Sequence, residues 1–361
     1  MRLLLVTVIF LAGISCQTAE GWSWIDHDTP GLGEEPIRTN CSIRLGAYMW
    51  IYPNWTDREI IQFAAENFDI FSVKHLPVFR NSTSIGMLRS TNPSICLLLT
   101  FCPTILDESD DWYLNVGGWS EEMHDRVLRL SNGSEAPNHL WSFTNAHVME
   151  HVMDIGNPLW AAYFRDRANA WVRRLGVDGY FLDGVPWNGV YYPDPADLLG
   201  YSSRDEINSA IIRFLDVVRQ PHLCLVLDDV TEPRQQEDLD GVWGEDWLGY
   251  DPTVPWGQKD TSQWEEAVER LELYSSQMKP YLAQGWYHYG REWELEYLAS
   301  TYLLAKNSNS AAFQPCPIGS PSLPPGAAYD YSSYDADVYR RELDEHGSIF
   351  NVKLGVHLAG G

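Results

Sequence analysis

Asp183 closes the segment Gly176-Val177-Asp178-Gly179-Tyr180-Phe181-Leu182-Asp183, and Glu245 closes Asp240-Gly241-Val242-Trp243-Gly244-Glu245. Each is a short apolar run that stops at a carboxylate, and Gly184 after the first lets the backbone turn sharply. Two opposed carboxyls are what cleavage of a glycosidic bond requires: one holds or attacks the sugar cation, the other protonates the leaving oxygen. Crowded carboxylates push one another's proton affinities apart, so that one stays protonated as the acid. Asp228, Asp229 and Asp246 supply such crowding at the ends of neighbouring apolar runs. Trp50, Lys74 with His75, and Trp286 with His288 end three more. Trp50, Lys74, Asp228, Trp243 and Trp286 are therefore the candidate substrate-binding residues, with flat rings offered to sugar faces. Packing is the plainer use for most of the other Trp and Tyr.

These residues need a scaffold that brings strand ends together. Residues 43–50, 69–74, 95–101, 179–183, 223–227, 239–245, 281–287 and 310–313 read as strands. Helical patterns fill residues 56–67, 161–175, 203–219, 263–277 and 293–306, and a shorter one ends at Asn92-Pro93. Thr56 with Glu59 and Ser203 with Glu206 have capping-box spacing, and Gly176 is a helix stop. The alternation predicts an α/β fold, a (β/α)8 TIM barrel with a long insertion between strands 3 and 4 over residues 103–158. That insertion carries Trp112, Tyr113, Trp119 and Trp141. The link between the fifth and sixth strands is too short for a full helix. In such a barrel the chemistry sits at the C-terminal strand ends, where Asp183 falls. Alternation aims Gly179, Phe181 and Asp183 one way and Tyr180 and Leu182 toward the helices.

Composition narrows the partners. The chain of 361 residues has 50 acidic against 25 basic residues and a formal net charge of -25. Such a field repels nucleic acid and anionic lipid and tolerates a neutral or amino sugar. Aromatic residues are 13%, with 16 Trp and 19 Tyr. The first residues, Met1-Arg2 and then an apolar stretch to Ile14, have the form of a secretory leader, too short to span a membrane. The expected organisation is a signal peptide at residues 1–19, a Gly/Pro/acid-rich linker at 20–39, and the barrel with a C-terminal extension at 40–361. The expected location is extracellular, with no membrane attachment after signal cleavage. Sequons at Asn40, Asn54, Asn81 and Asn132 fit an exported glycoprotein. The scattered Cys41, Cys96, Cys102, Cys224 and Cys316 describe neither a disulfide framework nor a zinc site. No cofactor and no metal are expected.

Residues 175–183 resemble the fourth-strand motif of the α-galactosidase-like superfamily, in which the second Asp is the nucleophile. Asp240-Gly-Val-Trp-Gly-Glu245 is similar to the sixth-strand motif of the endo-α-1,4-polygalactosaminidase branch. With Asn92-Pro93 and Asp154-Ile-Gly-Asn-Pro158 in the same order, residues 43–315 resemble the hypothetical glycosyl hydrolase families, particularly family 15. The resemblance implies a retaining glycoside hydrolase, with Asp183 as nucleophile and Glu245 as general acid/base. Phe181 departs from the substrate-binding Lys of true α-galactosidases, and Asp228 from a frequent Asn. Glu245 is followed by Asp246, which leaves open which carboxylate faces inward.

Two other readings compete. His147-Val-Met-Glu-His151 matches the H-x-x-E-H pattern of zinc hydrolases, whose two His share one face of a helix. Alternatively the barrel is catalytically inactive and serves as a secreted carbohydrate-binding or structural glycoprotein.

Overall fold

The structure, a computed structural model, describes residues 46–48, 57–73, 82–107, 116, 119–137, 150–185, 193–220, 224–228, 239–248, 261–277, 279–288, 292–306 and 311–318. Among these the strands are β1 (Gly46–Tyr48), β2 (Ile70–Val73), β3 (Cys96–Phe101), β4 (Ile105–Asp107), β5 (Glu150–Val152), β6 (Gly179–Leu182), β7 (Cys224–Asp228), β8 (Gly241–Leu248), β9 (Tyr281–His288) and β10 (Ala311–Ile318). The helices are α1 (Asp57–Asn67), α2 (Ser82–Thr91), α3 (Pro158–Leu175), α4 (Arg204–Val218), α5 (Thr261–Ser276) and α6 (Glu292–Ala305). The proposed leader, the linker, the sequons at Asn40, Asn54 and Asn81, the fifth-to-sixth connection and the tail beyond Ile318 lie outside the described residues.

The fold is α/β with parallel strands. One eight-stranded sheet has the order β1-β2-β3-β6-β7-β8-β9-β10, and each neighbouring pair is parallel. Cα atoms of β1 and β10, at the two ends of that order, lie within 8 Å of each other. β4 and β5 form a separate antiparallel ribbon between β3 and α3.

α3 shows how the sequence builds an element. Asn157 accepts a hydrogen bond from the Leu159 amide, and Pro158 starts the helix at a place where a missing amide hydrogen costs nothing. Trp160, Phe164, Ala168 and Val172 recur every fourth residue and are all buried, with Leu175 continuing the stripe. Each large side chain so buried contributes about 1.5–3 kcal/mol. Gly176 ends the helix at φ 70°, in the left-handed region, and its amide bonds the Val172 carbonyl. Strand β6 begins three residues later.

Along the strands two sets of side chains alternate. Leu97, Leu99 and Phe101 of β3, Tyr180 and Leu182 of β6, and Tyr281 and Ala283 of β9 share a core with the helices. The Tyr180 hydroxyl sits within 3.3 Å of Asn169 on α3 and donates to the Val218 carbonyl on α4. The other sheet face carries Thr100, Phe181, Trp243, Gln284 and Gln314, each no more than 2% exposed. Both sheet faces are thus buried, as in parallel sheets generally.

Two expectations change in detail. β10 runs five residues past Phe313, paired with β9 from Ala311↔Tyr281 to Ile318↔His288. Glu150–Val152 is a strand, so Glu150 and His151 of the H-x-x-E-H stretch do not lie on a helix.

Candidate functional site

The turn that carries Asp183 is held from three sides. The Asp183 amide bonds the Phe101 carbonyl at 2.9 Å, continuing the β3–β6 ladder one residue beyond β6. Thr104, only 5% exposed, donates its hydroxyl to the Gly184 carbonyl at 3.1 Å. Gly184 has φ +68°, and a Cβ there would meet Cys102 Sγ at 3.2 Å, so a side chain would be strained and crowded at once. Asp183 itself is partly exposed while Phe181 and Leu182 are buried.

Beneath it lies a layer that the motifs did not reveal. The Phe181 ring meets Trp243 at 4.9 Å between centroids. The Trp243 indole, 1% exposed, donates to Gln284 Oε1 at 2.8 Å. Ser72 and Thr100 hydrogen-bond to one another, both fully buried, between β2 and β3. The signal was present: Thr100, Gln284 and Gln314 are polar residues inside otherwise apolar runs, and buried polar groups need partners. Trp243 serves this layer as packing and as a donor. Trp286 of β9 is 6% exposed and lies outside the helix-facing core.

Asp228 is the last residue of β7, opposite Trp243 in register, and Glu245 and Asp246 lie within β8. The described facts for these three concern their backbone. The β8–β9 register shifts between Gly244 and Leu248, where four residues of β8 span two of β9. Strict alternation therefore breaks at Glu245-Asp246. Trp50, Lys74, His75, Asp229 and, in the long excursion, Trp112, Tyr113 and Trp141 lie outside the described residues.

The segments after β3 and after β6 are stitched together beside Asp183. Leu130 bridges Leu198, the Ser131 amide bonds Asp197, and the Leu199 amide bonds Arg129. Asp154 of the Asp-Ile-Gly-Asn-Pro motif accepts from the Gly156 amide at 2.9 Å and from the Tyr201 hydroxyl at 2.5 Å. Burial first, and the Asp154 charge second, push the Tyr201 phenol well above its ordinary value, so it stays a donor. The motif's work is thus to pin the segment that follows β6 to the start of α3. A narrow apolar recess behind the turn is lined by Thr104, Met153, Ile155, Val185 and Ile207 among others. Its polar groups, Thr104 Oγ1 and Tyr201 OH, are already bonded, which makes the recess packing.

His151 is also accounted for. Its ring stacks on Trp119 at 3.6 Å and 9°, and Nδ1 lies 2.9 Å from Glu135 Oε2. The other Glu135 oxygen is 3.5 Å from His124 Nδ1. His147 lies outside the described residues, and among the described residues no three His, Cys, Asp or Glu are grouped to hold a metal ion. Burial raises the Glu135 pKa, but hydrogen bonds and charge from His151, with His124 and Arg129, outweigh it and hold the carboxyl below its ordinary value. A depressed carboxyl stabilises the fold above its unfolded pKa, and that stability is lost as pH falls through the folded value. Glu135→Gln is therefore expected to lower the melting temperature at neutral pH, with the gap to wild type closing in acid. At 37% exposure solvent screening keeps the effect under about 1 kcal/mol. Melting curves with a constant gap from neutral pH to below the carboxylate range would refute it.

The fold resembles solved glycoside hydrolases. The glycoside hydrolase domain of PelA from Pseudomonas aeruginosa matches at a TM-score of 0.48 and 17% identity, covering 75% of this chain and 94% of that one. Alpha-L-fucosidase isoenzyme 2 from Paenibacillus thiaminolyticus matches at 0.47 and 12%, covering 86% of this chain and 51% of that one. The GH36 alpha-galactosidase AgaA from Geobacillus stearothermophilus matches at 0.44 and 10%, covering 86% and 42%. At these identities the likeness is one of fold. No protein-family model matches the sequence, and no curated protein does.

Proposed function

We propose that the chain is a secreted glycoside hydrolase that cleaves O-glycosidic bonds of a neutral or amino-sugar oligo- or polysaccharide. In this reading the sheet closes into a (β/α)8 barrel, residues 103–158 form an insertion walling its mouth, and Asp183 and Glu245 are the carboxylate pair. Closure is supported by the buried state of the face away from the helices, which needs a cover the helices do not provide. One observation carries the catalytic reading. Phe181 touches Trp243, and Asp183, one residue beyond β6, and Glu245 of β8 each stand two residues further along the chain. Regular alternation would set two carboxylates in the next layer above the ring pair, and the β8 register shift after Gly244 decides whether Glu245 or Asp246 takes the second place.

Asp183 would attack the anomeric carbon and Glu245 would protonate the departing oxygen, then draw a proton from the water that releases the sugar. A retaining enzyme holds its two carboxyls roughly 5–5.5 Å apart, an inverting one roughly 6.5–9.5 Å. No cofactor enters this chemistry. The net charge of -25 and the acids at the strand ends disfavour an anionic ring, which would meet like charge in a partly desolvated cleft.

The test compares purified protein on neutral, amino and acidic polysaccharides at fixed ionic strength, reading new reducing ends. Turnover of a neutral or amino-sugar polymer is expected. Preferential turnover of a polyuronide would overturn the substrate class, and binding without turnover of any glycan would favour the inactive carbohydrate-binding alternative.

A further inference from the structure

We propose that Asn132 is a site of N-linked glycosylation, taking an oligosaccharide from a lipid-pyrophosphate donor. This rests on the export part of the reading above and is independent of its catalytic part. Asn132-Gly133-Ser134 is a sequon whose three residues are all exposed. They form the tip of a tight hairpin: the Gly133 amide bonds the Leu130 carbonyl, and the Leu130 amide bonds the Ser134 carbonyl, both at 2.8 Å. Gly133 sits at φ +86°, where a side chain would be strained and glycine is not. The tip therefore turns outward with its sequon uppermost.

The folded turn leaves the Asn132 nitrogen uncommitted. Asn132 Oδ1 accepts from the Ser134 amide at 2.9 Å and from the Ser134 hydroxyl at 2.7 Å. Those bonds commit the oxygen of the Asn132 amide to the turn and leave its nitrogen out of it. Asn132 is exposed, and its Nδ2, the nitrogen that must react, has no hydrogen-bond partner among the described residues. In the transfer, Nδ2 attacks the anomeric carbon of the donor and an N–C bond forms. The C–O bond to the pyrophosphate breaks, the lipid pyrophosphate leaves with the electron pair, and one amide proton passes to a base of the transferase.

Timing favours the same conclusion. The partners that fix the hairpin stem, Val152 through the Leu128 amide and Asp197 through the Ser131 amide, come later in the chain. When the sequon emerges during synthesis those partners are still to come, which leaves it free to extend into a transferase. After folding, its tip still projects, so the sugar demands no rearrangement.

The experiment expresses the full chain in a eukaryotic secretory host, once with its own residues 1–19 and once with an established leader in their place. Secreted protein is treated with peptide N-glycosidase in heavy-oxygen water, and the peptide spanning Asn132 is read by mass spectrometry. Conversion of Asn132 to heavy-oxygen Asp is expected. Ser134→Ala should abolish it and Ser134→Thr should keep it, an outcome that a merely structural Ser134 would not give. An unmodified Asn132 in protein secreted by the established leader overturns the proposal. Retention of the chain bearing its own residues, with modification in the other arm, would overturn the export reading alone.

Discussion

Asparagine in place of Asp183 is expected to lower kcat by on the order of 10⁴-fold or more on whichever glycan the wild-type chain cleaves. The substitution keeps the shape of the side chain and removes only the charge and nucleophilicity. The turn should survive it, because what holds the turn is the Asp183 amide on Phe101, the Thr104 hydroxyl on Gly184 and the lack of a Cβ at Gly184. Loss of an interaction made in the transition state lowers kcat and kcat/KM together and leaves KM nearly unchanged. A structural defect would instead appear as a lower melting temperature. Glu245→Gln and Asp246→Asn, measured alongside, read the β8 irregularity: the proposed acid should lose leaving-group protonation and the other should not. Unchanged turnover by Asp183→Asn would end the proposed mechanism.

The second large effect falls at the opposite end of the strands. Asp178, 7% exposed, precedes β6 and receives Arg89 Nη2 at 2.5 Å and the Leu97 amide at 2.7 Å. Arg89 also donates to the carbonyls of Gly176 and Ile95, at 3.2 and 3.4 Å. One guanidinium on α2 thus ties together the end of α3 and the starts of β3 and β6. Burial pushes the Asp178 carboxyl above its ordinary value, against the pull of the Arg89 charge and the Leu97 amide. Arg89→Ala leaves that carboxyl buried without its cation, a loss that typically costs roughly 3–5 kcal/mol. Urea unfolding measures it, and a cost under about 1 kcal/mol would contradict the account. Pairing Arg89→Ala with Asp178→Asn should recover part of the loss, since the second change removes the stranded charge. Under the proposed function, the fraction that remains folded should keep its kcat, because the pair sits at the N-terminal strand ends.

These two aspartates, five residues apart, differ in how well the sequence disclosed them. The strand-end position of Asp183 was legible because a carboxylate after an apolar run and before glycine is a local pattern. Asp178 was not, because its partner is 89 residues earlier and nothing local marks it. Helix ends were legible for the same reason as Asp183. Ser203 receives the Glu206 amide as the spacing predicts, although the Glu206 carboxylate reaches Ser202 instead of Ser203. The length of β10 was hidden by Pro315 and Pro317, which argue against a strand. They occupy alternate positions, so the amide hydrogens they lack all fall on one edge of the strand, and β10 still pairs with β9 through Ile318. His151 misled because H-x-x-E-H counts residues without saying whether the period is helical, and β5 is only three residues long. The choice between Glu245 and Asp246 stayed open because β8 loses its alternation at that step.

The stitching of the segment after β6 to the excursion after β3 bears on how such a protein diversifies. Leu198, Asp197, Leu199 and Tyr201 find their partners at Leu130, Ser131, Arg129 and Asp154, all on the other segment. A loop exchanged alone between homologues would arrive with its edge amides and its tyrosine unmatched. The two segments are therefore best moved together, and grafting them as a pair is the way to transplant this region onto another scaffold.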